Sequence, residues 1–259
     1  MDISLRCHDT DLIIDNKKIL SDISIKVVPG QVTAVIGPNG AGKSSLIKVM
    51  SGEIETNKGS VILEDLDISR WSPNERAQKL SVLPQRSDIS FDFTCFEIVS
   101  LGRLPHSSGS LKDNKIIWKA LQLVGATELK ERIYTHLSGG EKHRVQLARV
   151  IAQILDTDGP KSKYLLLDEP TATFDMAHTK LFISLLQELT KNHIGILLIA
   201  HDLNLAYRVA NEVVLLHEGA LVAAGPPDQM TDLNDIRRVF NTEVSVLNLP
   251  NKKPLFVMD

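Results

Sequence analysis

The chain has 259 residues, 43% hydrophobic and 24% charged, with a net charge of −3. This suits one large globular domain, or one with an inserted lobe, and gives no overall basic footprint for nucleic acid. There is no apolar run of about 18 residues to cross a membrane, no signal-peptide pattern at Met1–Leu5, and only Cys7 and Cys95, too few for a disulfide scaffold or a thiolate zinc site and in keeping with a reducing compartment.

In chain order, residues up to about Ser69 read as a strand-rich edge. Within them Val32–Ile36 is a β-branched apolar run, predicted to be a buried strand. Gly37-Pro38-Asn39-Gly40-Ala41-Gly42-Lys43-Ser44 follows and matches G-x-x-x-x-G-K-[ST] at every fixed position. Ser45–Met50 has helical spacing. Next come a strand at Ser60–Leu63, a short helix starting at Pro73–Gln78, and a strand Leu80–Gln85 that ends in glutamine. From about Arg86 to Val150 the pattern is helical, with helices predicted at Lys115–Val124 and Thr127–Ile133. Cys95 reads as a small packing residue. Leu137-Ser138-Gly139-Gly140-Glu141 is a glycine-rich helix start, and Val145, Leu147, Ala148 and Val150 can bury one side of that helix.

Asp156–Lys161 is a polar loop. Tyr164–Asp168 is an apolar strand that ends in the carboxylates Asp168 and Glu169. Leu181–Thr190 is amphipathic and predicted helical. Ile196–Ala200 is another buried strand, followed by His201 and Asp202. Val213–His217 and Ala220–Ala224 flank Glu218-Gly219 as a hairpin. The tail from about Asn241 to Asp259 yields no reading.

The glycine-rich motif between strand and helix is a phosphate cradle. Its backbone N–H groups curl inward and the helix start adds positive potential. Lys43 reaches the terminal phosphates and the Ser44 hydroxyl ligates Mg²⁺. Asp168 is placed to hold the same ion through water, and Glu169, one residue on, can polarise an attacking water. His201 leaves the same sheet edge and can orient Glu169. The Gln85 amide can touch the metal or its water. Singly each has a bland alternative: a glycine turn, an acidic strand cap, a structural histidine, an ordinary loop glutamine. The cradle alone does not separate kinases, GTPases and transport ATPases.

Together, from about Leu20 to Gly225, these residues resemble the nucleotide-binding subunit of ABC transporters. Gly37–Ser44 resembles Walker A, Gln85 the Q-loop, Leu137–Glu141 the signature, Leu165–Asp168 Walker B, Thr173-Phe174-Asp175 the D-loop and His201 the H-loop. The resemblance implies an α/β fold, a P-loop NTPase core with a mixed sheet and an inserted α-helical lobe. Residues 1–85 and 151–240 would form the core, with an antiparallel β region at its start; 86–150 the lobe; 241–259 a C-terminal extension. It implies ATP and Mg²⁺ as cofactors. Gly37, Pro38, Asn39, Gly40, Ala41, Gly42, Lys43, Ser44 and Ser45 would bind nucleotide; Ser44, Gln85 and Asp168 the metal. Glu169, His201 and Gln85 would be catalytic. Two copies would pair head to tail, so that Ser138, Gly139 and Gly140 of one cap the γ-phosphate held by Lys43 of the other.

The implied partners are a second copy of the chain, a transmembrane permease dimer and a periplasmic hemin-binding protein, with no nucleic acid. The implied place is the cytoplasmic face of a bacterial inner membrane. Phe91, Phe93 and Phe96 could line a cleft for a permease helix. Leu101-Gly102-Arg103-x-Pro105-His106 resembles a stretch in importers of iron chelates, cobalamin and haem. Ser90-Phe91-x-Phe93 and the Asp156–Lys161 loop resemble the hemin branch. Ferric siderophore or cobalamin import by the same motor stays open, as does a non-transport ABC ATPase. The sequence departs from the family twice. No aromatic stands near Asp11-Leu12 to stack on a base, and Phe174 occupies a D-loop place that is commonly small.

Overall fold

The structure is a computed structural model that describes residues 3–85, 89–155, 162–230, 232–247 and 253–258. Strands β1 (Leu5–Ile14), β2 (Lys17–Val27), β3 (Val32–Ile36), β4 (Lys58–Leu63), β5 (Leu66–Asp67), β6 (Leu80–Leu83), β7 (Lys163–Asp168), β8 (Ile194–Ile199), β9 (Glu212–His217) and β10 (Ala220–Gly225) form one sheet. Its order is β5-β4-β1-β2-β10-β9-β3-β8-β7-β6. β9, β3, β8, β7 and β6 run parallel, while β1, β2, β4 and β5 pair antiparallel. Every residue of β3, β7 and β8 is buried. Parallel strands covered on both faces need this continuous apolar character, which is why they read so clearly in the sequence.

Helix α1 (Lys43–Met50) buries Leu46, Ile47, Val49 and Met50 against the antiparallel strands, in a core with Leu5, Leu20, Ile23 and Leu63. Helices α3 (Cys95–Ser100), α4 (Ser110–Leu123), α5 (Gly139–Ile154), α6 (Met176–Lys191) and α7 (Leu203–Val209) cover the other face. Their buried residues join Ala34, Leu83, Leu165 and Ile196 of the strands in one cluster. α2 (Pro73–Lys79) starts with a capping box between Ser72 and Glu75 and a proline in its first turn, the pattern that predicts a helix start there.

Some expectations change. Thr127–Ile133 is not a helix: only Thr127–Leu129 forms a 3₁₀ turn. The rest of that segment pairs with the chain around Thr94, where Cys95 N donates to Arg132 O, Phe96 N to Lys130 O and Tyr134 N to Phe93 O. These pairings satisfy its backbone better than a stub too short to propagate. The strand predicted over Leu80–Gln85 stops at Leu83, because Pro84 has no N–H for the ladder. α4 starts five residues ahead of Lys115, and α5 runs past Val150 to Ile154. Arg86, Ser87, Asp88 and the Asp156–Lys161 loop lie outside the described residues. The tail is a hairpin, β11 (Val244–Leu247) with β12 (Leu255–Met258), following α8 (Leu233–Phe240). Cys7 and Cys95 are both buried packing residues, each thiol pushed up to about 11 by that burial.

The Leu101–His106 motif clasps the C-terminal end of α5. Arg103 is 4% exposed. Its Nη1 donates to Ala152 O at 2.7 Å, its Nη2 to Ser108 Oγ at 2.9 Å and its Nε to Asp113 Oδ1 at 2.8 Å. The His106 ring meets Gln153 O at 2.7 Å. Gly102 is required by the close approach: a Cβ there would lie 2.2 Å from Arg149 O. A positive group on the last carbonyls of a helix suits both their unused acceptor capacity and the helix dipole. Replacing Arg103 with Ala leaves Asp113 with Ser108 alone and removes the donor to Ala152 O, and should cost about 3 kcal/mol of unfolding free energy. Urea unfolding would read this; a loss under about 1 kcal/mol would mean that water replaces the clasp.

Candidate functional site

The parallel strands deliver the site to one edge. β3 runs into Gly37, β6 into Pro84-Gln85, β7 into Asp168-Glu169 and β8 into Ala200-His201. Ligand crevices in open α/β sheets lie outside these strand ends.

Gly37–Gly42 curls between β3 and α1. At Gly37 a Cβ would lie 2.1 Å from Leu216 O, so no larger residue fits. Gly42 is the N-cap of α1 with a left-handed φ of 100°, and no side chain caps that helix start. Ser44 and Ser45 lie in its first turn, with Pro38, Asn39, Gly40 and Ala41 in the loop before it. Lys43 is 5% exposed, and its Nζ donates to Gly37 O at 2.8 Å and Pro38 O at 2.9 Å. Burial lowers the Lys43 pKa against the pull of the Glu169 and Asp168 carboxylates.

Asp168 is 4% exposed, and its Oδ1 is buried with no hydrogen-bond partner. Burial raises its pKa, opposed by a hydrogen bond from Ser44 and augmented by the Glu169 charge. A buried carboxylate oxygen without a donor, beside a serine hydroxyl, has the chemistry of a cation ligand. Among the described residues no group of three or more His, Cys, Asp or Glu side chains could hold a metal alone.

Glu169 has φ 53°, in the left-handed region. Gln85 Nε2 donates to its Oε2 at 2.6 Å, and His201 Nε2 lies 2.6 Å from its Oε1. The Glu169 side chain is 9% exposed and that of His201 48%. So the structure brings Lys43, Ser44, Asp168, Glu169, Gln85 and His201 into one constellation.

Ser138, Gly139 and Gly140 stand apart from it. Ser138 is the N-cap of α5 in a capping box with Glu141. Both Ser138 N and Ser138 Oγ donate to Glu141 Oε2 at 2.8 Å. Arg132 holds the other oxygen, Oε1, at 2.7 Å. None of the described hydrogen bonds joins Ser138 to the glycine loop or takes up the amides of Gly139 and Gly140. The body of α5 buries Val145, Leu147, Ala148 and Val150, as its spacing predicts. Arg132 went unmarked in the sequence, although Ser138-x-x-Glu141 is itself a readable capping box.

Phe174 turns into its own chain. Its ring meets His143 edge-on at 5.6 Å and Phe182 at 6.0 Å, so it packs α5 against α6. Phe91 and Phe93 are exposed, 6.2 Å apart and tilted, and Phe96 is half-buried against the core. Among the described residues no helix is long and apolar enough to cross a membrane.

The family model for ABC transporters matches residues 20–172. The "Hemin import ATP-binding protein HmuV" of Pseudomonas fluorescens (strain Pf0-1) is 41% identical over 254 residues, covering 98% of this chain and 99% of that protein. The protein of the same name from Myxococcus xanthus (strain DK1622) is 42% identical over 236 residues, 90% of this chain and 88% of its own. Among solved structures, the ADP conformation of an ATP-binding cassette of an ABC transporter superposes with a TM-score of 0.77 at 25% identity, covering 93% of this chain and 98% of that one. The family model spans more than half of the chain, its relatives align along almost its whole length, and the chain therefore belongs to the ABC transporter family as a nucleotide-binding subunit.

Proposed function

We propose that this chain hydrolyses ATP to drive hemin import across a bacterial inner membrane. The observation that carries the hydrolytic reading is Glu169, held at both oxygens by Gln85 and His201 beside Lys43 and Asp168. The cargo reading is supported by relatives named for hemin import at about two-fifths identity over nearly the whole chain. Leu101–His106 keeps its resemblance to importers of iron chelates, cobalamin and haem while it serves as the clasp on α5.

Gly37–Ser45 wrap the phosphates with backbone N–H groups at the α1 N-terminus. Lys43 exchanges its two loop carbonyls for phosphate oxygens. Ser44, Asp168 and the Gln85 amide form the donor set for Mg²⁺, and the partnerless Asp168 Oδ1 supports that fit. When bound, Mg²⁺ neutralises charge on the β- and γ-phosphate oxygens. Glu169 takes the proton of the attacking water. A carboxylate has about four lone-pair sites, so the bonds to Gln85 and His201 orient it without filling it.

The open amides of Gly139 and Gly140, at the start of a 16-residue helix, form an anion cap that the Ser138 hydroxyl joins by turning its proton away from Glu141. A second copy, paired head to tail, would bring a phosphate to them. ATP then favours the closed pair because it gains contacts there that ADP lacks. Phe91 and Phe93 would receive the permease, with a periplasmic hemin-binding protein beyond it. In this reading residues 1–85 and 151–240 are the core, 86–150 the lobe and 241–259 an extension, with the subunit on the cytoplasmic face of the membrane.

Glu169→Gln should lower kcat at least about 100-fold while trapping an ATP-bound dimer on size exclusion; normal turnover would remove the base assignment. Asp168→Asn should raise the thermal midpoint of the nucleotide-free protein, since it removes a buried charge whose Oδ1 lacks a donor, and should abolish Mg²⁺-dependent hydrolysis. An unchanged or lower midpoint would mean that Asp168 is satisfied without a cation. A strain lacking the gene should lose growth on hemin as sole iron source but keep growth on ferric siderophore. Unimpaired growth on hemin would withdraw the cargo and leave the ATPase.

A further inference from the structure

The C-terminal hairpin lies along α7, the helix entered directly from His201. The Asn204 side chain pairs with β12 as a neighbouring strand would: its Oδ1 accepts from Phe256 N at 2.8 Å and its Nδ2 donates to Phe256 O at 2.9 Å. At the far end of α7, Lys253 Nζ donates to the C-cap carbonyl of Ala210 at 2.6 Å. Between these ties the Phe256 ring meets Tyr207 edge-on at 4.5 Å. Tyr207 is fully buried, and its hydroxyl donates to Met230 O. The tail therefore grips α7 at its start, middle and end.

The start of α7 leads straight back to the site. Asp202 Oδ1 accepts from Asn204 N at 2.8 Å, and Asp202 O accepts from Ala206 N at 3.0 Å. His201 is the next residue back. Its imidazole is half exposed, and Glu169 is its one partner among the described hydrogen bonds and ion pairs. No other hydrogen bond or ion pair is described at the ring, so the His201 backbone, tied at Ala200 to Val35 O on one side and entering α7 on the other, carries its position.

We propose that β12 splints α7 and that Asn204 is a positioning residue for His201. Through Phe256 it fixes the first turn of α7 and hence the seat of the imidazole against Glu169. This rests on the hydrolytic reading of His201 given above. Only that reading gives the hairpin an effect on turnover in addition to stability.

The test is a double-mutant cycle in the full-length chain, with kcat, KM for ATP and the thermal midpoint measured for Asn204→Ala, His201→Ala and the pair. Asn204→Ala should lower kcat about ten-fold, the scale of a misplaced catalytic group, with KM changed by less than about two-fold. In the His201→Ala background the same change should cost nothing further, because the group through which it acts is gone. A full additional loss there would mark a merely structural tie and overturn the proposal. So would unchanged kcat in Asn204→Ala beside a damaged His201→Ala. Unchanged kcat in His201→Ala would instead overturn the hydrolytic role of His201. Should Asn204→Ala not fold, Asn204→Asp, which keeps the acceptor and loses the donor, carries the same expectation of non-additivity.

Discussion

The site depends on one backbone turn. Asp168 ends β7 in strand geometry, and a further strand residue would present its side chain to the opposite face. Glu169 instead takes a left-handed φ of 53°, which costs a non-glycine residue about 1–2 kcal/mol. That turn lets two successive carboxylates serve different neighbours. Asp168 faces Ser44 and Lys43, while Glu169 sits between Gln85 and His201. The surroundings hold the strained residue: Glu169 N donates to Ile199 O on the neighbouring strand, and both carboxylate oxygens are engaged. Were Glu169 in an ordinary strand conformation, four correctly ordered strand ends would still not set its carboxylate between Gln85 and His201.

What the sequence made legible follows from what is local. The buried parallel strands are apolar throughout, so β3, β7 and β8 stand out within a residue or two of their ends. The glycine loop is legible because its chemistry fits in eight consecutive residues. The pairing of Gln85, Glu169 and His201 was inferable only because each lies just past a strand whose neighbours the family order supplies. Other features have no local signature. Thr127–Ile133 has helical composition but pairs with Phe93–Phe96, more than thirty residues away. The left-handed turn at Glu169, the Arg132 brace on Glu141 and the docking of the tail through Asn204 all arise from long-range geometry. The clasp made by Leu101–His106 was not legible, because a helix C-terminus fifty residues later is invisible to the motif.

The helical lobe and the sheet are not separate cores. Cys95, Ile98, Leu121 and Val145 belong to the same buried cluster as Ala34, Leu83 and Ile196. Gln153, near the end of α5, accepts from Ser81 Oγ of β6 and donates to Ala77 O and Leu80 O. The helix that starts at Ser138 is thus fastened to the strand that runs toward Gln85. Phe174 adds a second fastening, between α5 and α6. Ser138 and the Gln85–Glu169–His201 cluster, although apart in one chain, are framed by shared packing.

α5 is also a lever. Sixteen residues at 1.5 Å each make a rod of about 24 Å, gripped by Arg103 and His106 at one end and bearing Ser138 at the other. A pivot of only about 3° at the gripped end sweeps the Ser138 end through more than about 1 Å over such a length. Hydrogen bonds to an anion tolerate little more than a few tenths of an ångström. The position of Ser138 is therefore sensitive to the grip of Arg103 at the opposite end of the helix, in addition to the Arg132 brace on Glu141 beside it.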